Sequence, residues 1–423
     1  MTRNLIFESI LNSIKKSLDS ESFMQEFRKP NRFIRRRLLR MKDVAQYLIF
    51  HKKTSHDISW NSFRSKFEEF KIPDVSKQAI CKARDGISYL LFQEFFNLSV
   101  ERFYDLYKKR KKWIERYHLF AIDGSDFEVP SSEETFEEFG KNFDPKKPDL
   151  FWSMAKTSML YDVSEDIIVD AVIDKQASHE RDMAMKHLAR MADLDITPNA
   201  VVIYDRGYYS SDMFMECHNT GCKCLMRLRK CMKFCKLPGD DFITSVLAPD
   251  GSKIPCRVLK VELSTGEIEY LITDIMDEDI TCDDFRDLYF ERWKIETKYE
   301  ELKERSKIEE FTGKKPCSVR QDFYISMLLA NLAGLIKFAA DIKIAANAKS
   351  KNRFKYQARR TYIIGRVKEV VPEMLMKGVS LVKINELIES ASKKKAQIQP
   401  GRSYKRRQKK RARKHYDNRK ATF

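Results

Sequence analysis

No run of apolar residues in this chain of 423 is long enough to cross a bilayer. The most apolar stretch, FYISMLLANLAGLI at 323–336, holds 14 residues between Asp322 and Lys337, where a spanning helix needs about 20. It fits a buried helix, and no membrane partner is expected. A disulfide framework is missing as well. Nine cysteines is an odd number, and the N-terminal MTRNLIFESILNSIKKSL reads as an amphipathic helix, not as a secretory leader. Reduced thiols in a cytoplasmic protein are the expectation. Zinc spacing is absent: Cys222-x-Cys224 and Cys231-x3-Cys235 lack the usual two-residue gap, and no histidine falls between Cys222 and Cys235. There is no internal repeat. What remains is a globular chain, 43% hydrophobic, long enough for two to four domains.

Acidic residues are outnumbered, with 62 Asp and Glu against 80 Lys and Arg, a net charge of +18. Such a surplus implies a polyanionic partner, nucleic acid first. It is concentrated in residues 393–423, which hold 14 basic residues and one acid, Asp417. A charge run alone equally suits a disordered, solubilising end. Two further basic blocks favour phosphate contact: RKPNRFIRRRLLRMK (28–42), with Arg35, Arg36 and Arg37, and KKRKK (108–112). In the tail the corresponding residues are Lys405, Arg406 and Arg407.

Periodicity divides the chain into six stretches. Residues 1–115 read as short helices with basic open faces, a helical DNA-binding region; Ser76 is placed to cap a helix whose apolar stripe is Ile80, Ala83, Ile87, Leu90 and Leu91. Residues 116–228 read as strand HLFAID, a hairpin SMAKTSMLYD–VSED–IIVDAVID, helix HERDMAMKHLARMADL, strand AVVIYD, a helix closed by Gly221, and strand CLMRL. That order predicts a mixed α/β sheet flanked by helices. Residues 229–277 read as a β-rich insertion, with a hairpin turn at Ser264-Thr265-Gly266. Helices return over 278–345 and 346–392, the latter broken at Pro372, before the basic tail at 393–423.

Chemistry concentrates at two places. Asp123 and Asp205 each follow a predicted strand, where α/β folds present functional groups. Carboxylates there suit a hard cation such as Mg2+, although a strand-end Asp also simply begins a turn. The second place is YFERWKIETKYEELK (289–303). On one unbroken helix Tyr289, Arg292, Glu296 and Lys303 fall within an arc of about 60°, beside an apolar seam of Leu288, Ile295, Tyr299 and Leu302. Arg292 and Glu296 alone would be an ordinary i,i+4 pair.

Tyr289-x2-Arg292-x3-Glu296-x6-Lys303, together with AIDGSDFEVP, HERD, VVIYDRGYYS, YLITDI and EEFTGKKPCSVRQD, resembles the DDE transposases of bacterial insertion sequences, in the cut-and-paste group with a β-insertion before the glutamate. The likeness runs from about residue 118 to 342. It implies an RNase H-like fold with Asp123, Asp205 and Glu296 as catalytic residues holding two Mg2+ ions, with Mn2+ as a substitute. It further implies phosphate binding by Tyr289, Arg292 and Lys303, a hairpin intermediate, double-stranded DNA as partner at both transposon ends and target, a homodimer on paired ends, and a bacterial, nucleoid-associated location. Arg206, Arg227 and Arg229 are lesser candidates for backbone contact or else surface ion-pair partners. The family stacks a flipped base on an aromatic, often a tryptophan of the insertion. Residues 206–292 hold no tryptophan, which leaves Phe234, Phe242 or Tyr270. His179 and Glu180 match the family but stand at a helix start, where capping is the ordinary role. A DNA-binding relative without catalysis and an RNase H-like nuclease without strand joining are the alternatives.

Overall fold

A computed structural model of the chain describes residues 1–34, 39–51, 53–144, 146–263, 266–348 and 353–399. Six helices come first: α1 (Arg3–Asp19), α2 (Glu21–Glu26), α3 (Met41–Phe50), α4 (His56–Lys66), α5 (Lys77–Asp85) and α6 (Leu90–Leu106). Serine hydroxyls start three of them, Ser20, Ser55 and Ser76 each accepting from a backbone N–H of the first turn. α5 stops at Asp85, so the stripe expected over Ile80–Leu91 is shared by two helices, and Leu90 is left 46% exposed.

Alternating and fully apolar segments follow as β1 (His118–Val129), α7 (Glu133–Phe139), β2 (Lys141–Asp144), β3 (Lys147–Asp162), β4 (Ile167–Lys175), α8 (Glu180–Asp193), β5 (Ala200–Tyr204), α9 (Ser211–Asn219) and β6 (Lys223–Arg227). Next come β7 (Asp241–Leu247), β8 (Lys253–Glu262), β9 (Ile268–Thr273), α10 (Cys282–Phe290), α11 (Trp293–Glu300) and a π-turn at Glu301–Arg305. The chain continues through α12 (Pro316–Ala346), β10 (Tyr356–Ala358), α13 (Arg360–Lys377), α14 (Leu381–Lys393) and β11 (Lys395–Gln397). Pro372 does not break the last helical region. It lies inside α13, where burial of Val370, Val371, Met374 and Leu375 outweighs the one hydrogen bond a proline removes. The break falls at Gly378, whose φ of +116° no helix accepts.

Two compact units result. One comprises residues 1–108, 126–155 and the chain from Leu302; the other comprises 109–125 and 156–301. In the first, α12 packs against α1, α6, α13 and α14. Although the uninterrupted apolar run is 14 residues, the helix around it reaches 31 and is long and apolar enough to cross a membrane, yet 78% of its most apolar stretch is buried, as in a core helix. Arg84 on α5 is buried in this unit and donates to Gln321 (2.8 Å), Thr312 (2.5 Å), the Ser318 carbonyl (2.8 Å) and Asp322 (2.8 Å).

The second unit is built on a sheet in which β3, β1, β5, β6, β9, β8 and β7 follow in that order, with β4 also paired to β3. Val163 N–H donates to the Leu119 carbonyl (3.0 Å) and Thr157 Oγ1 to the Ser125 carbonyl (2.7 Å), so β3 runs antiparallel to β1. β5 lies parallel to β1, and β6 parallel to β5. Three antiparallel strands, then two parallel ones reached through α8 and α9, is the RNase H-like order. The insertion does not stand apart from it. β9 pairs antiparallel with β6, and β8 and β7 extend the same sheet to its edge.

Candidate active site

Parallel pairing sets the first two acids side by side. β1 and β5 stay in register from His118↔Ala200 to Ala121↔Ile203. Carried two residues further, that register sets Asp123 opposite Asp205, which directly follows β5. Asp205 follows the end of β5, as expected, but Asp123 does not end its strand. β1 runs on to Val129 because β3 continues to hydrogen-bond it beyond the point where β5 stops.

Glu296 arrives on a shorter helix than expected. Glu291 and Arg292 form a turn between α10 and α11, and the π-turn follows Glu300, so one helical wheel does not describe 289–303. The apolar seam persists: Leu288, Ile295, Tyr299 and Leu302 are all at most 5% exposed. Tyr289 and Arg292, placed by the wheel at the seam's margin, are themselves buried.

The turn lets Arg292 reach two of the acids. Its Nη2 donates to Glu296 Oε1 (2.8 Å), and its Nη1 stands 3.9 Å from Asp123 Oδ2. The Tyr289 hydroxyl donates to Asp205 Oδ1 (3.3 Å). Arg292 Nε is buried and finds no hydrogen-bond partner among the described residues. Lys303 lies within the π-turn and belongs to the other unit, where its ammonium donates to the Asp126 carbonyl (2.7 Å) and lies over the Phe127 ring.

Burial pushes the Asp123 carboxyl up to about 7; Arg292 and the Gly124 N–H pull it back, while Glu296 and Glu180 push it further. Desolvation works against the Arg292 cation, yet Tyr289, Asp205 and Glu296 together hold its pKa above the ordinary value. Burial, and after it the charge of Asp123, drives the Tyr208 phenol well above its usual range.

Several supporting residues carry no signal in the sequence. The Asp123 carbonyl accepts from the Tyr299 hydroxyl (2.9 Å) and from Ser158 Oγ (3.4 Å). Ser158 Oγ lies 3.0 Å from His187 Nε2, and His187 Nδ1 lies 2.6 Å from Asp170 Oδ2. This Ser–His–Asp line is fully enclosed at its serine, so it braces a strand and attacks nothing. Glu180 does more than begin α8. Its carboxylate pairs with Lys156 (3.4 Å) and packs over Gly124, where a Cβ would stand 2.7 Å from Glu180 Oε1. His179 caps α8 without a side-chain hydrogen bond.

Beside Asp205 opens a cavity of about 510 Å3 lined by Arg206, Arg227, Arg229, Lys230, Glu269 and Tyr270. Arg227 is committed to Glu269 (2.8 Å), whereas the Arg206 and Arg229 side chains are exposed. Of the aromatics expected to stack a base, Phe234 is 4% exposed, shut in against Tyr209, and cannot present its ring. Phe242 and Tyr270 are half-buried. Trp293 and Phe290, which flank the α10–α11 turn, are 48% and 67% exposed, and the Arg292 guanidinium lies 5.3 Å from the Trp293 ring centroid. Arg35, Arg36, Arg37, Lys405, Arg406 and Arg407 lie outside the described residues.

No three His, Cys, Asp or Glu side chains among the described residues stand close enough to ligate one ion. The positive charge between Asp123 and Glu296 is the Arg292 guanidinium. It stands where a cation would neutralise the same two carboxylates, whose hard oxygens are donors of the kind a divalent cation takes.

The family described as the transposase DDE domain matches residues 114–332, more than half of the chain. The InsG transposase of insertion sequence element IS4 from Escherichia coli K12 is 23% identical over 290 residues, 64% of this chain and 64% of its own length. InsZ of the same organism is 27% identical over 104 residues, 25% of this chain and 33% of its own. A piggyBac transposase solved in a synaptic complex with hairpin DNA shares 9% identity at a TM-score of 0.47, over 95% of this chain and 87% of that one. By its family match the chain belongs to the transposase DDE domains.

Proposed function

We propose that the chain is the transposase of an insertion sequence, cutting double-stranded DNA at terminal inverted repeats and joining the freed ends to a target, with two copies acting on paired ends. The observation that carries this reading is the strand register that aligns Asp123 with Asp205, together with the Arg292 turn that ties Asp123 to Glu296. Two Mg2+ ions held by Asp123, Asp205 and Glu296 would supply an activated attacking oxygen and charge relief on the leaving oxygen. On DNA binding Arg292 would exchange Glu296 for a phosphate, its planar fork suiting either partner. Tyr289 would turn from Asp205 to the same backbone, with Lys303 as a further phosphate contact. Arg206 and Arg229 would follow the strand along the cavity beside Asp205. The exposed rings of Trp293 and Phe290 offer stacking faces to an unpaired base. In the hairpin route, hydrolysis frees a 3′ hydroxyl; that oxygen then bonds to a phosphorus of the opposite strand as the strand's own P–O bond breaks.

The test supplies a linear fragment with the element's terminal repeats, a target plasmid and Mg2+. Excision followed by joining is expected. Cutting without joining would make the chain a nuclease, and binding without cutting a DNA-binding relative.

A further inference from the structure

Tyr208 is a buried polar residue at this site that the reaction above leaves idle. It closes the turn after β5, its N–H donating to the Asp205 carbonyl (3.1 Å). Its ring packs against Tyr204, with centroids 5.5 Å apart, and the residue is 1% exposed. The hydroxyl finds no hydrogen-bond partner among the described residues. Yet the groups acting on it electrostatically are those of the site: Asp123, Glu180, Tyr299 and Asp205. A buried hydroxyl without a partner is costly, and phenylalanine would fill the same space without that cost. A phenol held in this position is explained by an acceptor that arrives from outside the chain.

We propose that the Tyr208 hydroxyl donates a hydrogen bond to an oxygen bound among these carboxylates, either a non-bridging oxygen of a DNA phosphate or a water carried by a divalent cation. The inference rests on the function proposed above and adds a substrate-contacting residue to it. Three acids around the phenol repel a bare phosphate oxygen, so a neutral donor aimed among them is the group that can still bind one.

Tyr208→Phe tests this, because it removes one oxygen and leaves the ring. Thermal unfolding without metal is expected at the wild-type midpoint or above it, since an unpaired group has been removed. Cleavage of terminal-repeat DNA is expected to fall tenfold or more. Mn2+ alone, titrated by thermal shift, and end DNA in EDTA, titrated by fluorescence anisotropy, separate the two sources. A threefold or larger rise in half-saturating Mn2+ with unchanged DNA affinity assigns the water. The converse assigns the phosphate. Tyr204→Phe, which removes a hydroxyl lying 3.4 Å from Cys217 Sγ, is the control and should match wild type in both titrations. If Tyr208→Phe cleaves within twofold of an active wild-type chain and both titrations are unchanged, the inference is overturned and the function stands. If the wild-type chain neither binds Mn2+ nor cleaves, the function fails, and the inference with it.

Discussion

Asp123→Asn should make the metal-free protein more stable, and increasingly so as the pH rises. Burial raises the Asp123 carboxyl from its ordinary 3.8 to about 7. The folded chain therefore keeps a proton that the unfolded chain loses between those two values. By linkage the wild type loses stability as pH rises through that window and is level above it. A rise of this size corresponds to about 4 kcal/mol when complete, at 1.36 kcal/mol per tenfold. Between pH 5 and pH 8 the part still to be lost is roughly 2–3 kcal/mol. The side chain keeps 20% of its exposure, so solvent screening cuts this to roughly 1–2 kcal/mol. Asparagine keeps the shape and can still accept from the Gly124 N–H that Asp123 Oδ1 binds at 2.9 Å, but it carries no charge to bury. Thermal unfolding in EDTA should thus show the gap between variant and wild type widening by about 1–2 °C from pH 5 to pH 8. Added Mg2+ should raise the wild-type midpoint at pH 8 and leave the variant where it was. A gap that narrows towards pH 8, or a variant destabilised equally at both pH values, would refute the claim that Asp123 is an undercompensated buried acid.

Glu296→Gln should abolish strand cleavage while end-DNA affinity by gel shift stays within about twofold of wild type, because the amide keeps the size but not the charge a cation requires; retained cleavage removes Glu296 from the mechanism. Arg84→Ala should cost about 3–5 kcal/mol in denaturant unfolding, since Asp322 is left charged and buried; a loss under about 1 kcal/mol would mean water replaces the guanidinium. Gly124→Ala should be destabilising through the Glu180 side chain, and pairing it with Glu180→Ala should recover most of the loss, a coupling that strict additivity of the two changes would disprove. Ending the chain after Gln399 removes 11 Lys and Arg residues and should weaken binding to every DNA sequence while flattening its salt dependence; an unchanged slope would show that the tail touches no phosphate.

Much of the architecture was legible because strong local signals agree with the tertiary outcome. AVVIY is apolar throughout and became a strand buried at every residue; SMAKTSMLYD and IIVDAVID, joined by the turn-like VSED, became a hairpin; Ser76 capped its helix. Signals that depend on neighbours were not legible. β7 was not anticipated, since its alternating exposure belongs to an edge strand that only its partner β8 defines. The division of 282–305 into α10, α11 and a π-turn was also hidden, because helical periodicity is blind to a two-residue turn between good helix formers. Pro372 read as a break and is tolerated, because burial around it decides more than one hydrogen bond.

The order of strands and helices, the two acids beside apolar segments and the spacing of the arginine and glutamate were all written in the linear chain, because hydrophobic period and residue type act over a few neighbours. Which groups meet was decided by folding. The β1–β5 register aligns Asp123 with Asp205, the turn at Arg292 sets one guanidinium between two carboxylates, and Glu180 and the unpaired Tyr208 hydroxyl come to the same site. Those meetings depend on a sheet register and a helix break made by residues far apart in sequence, and electrostatics at a few ångströms exists only once they are made.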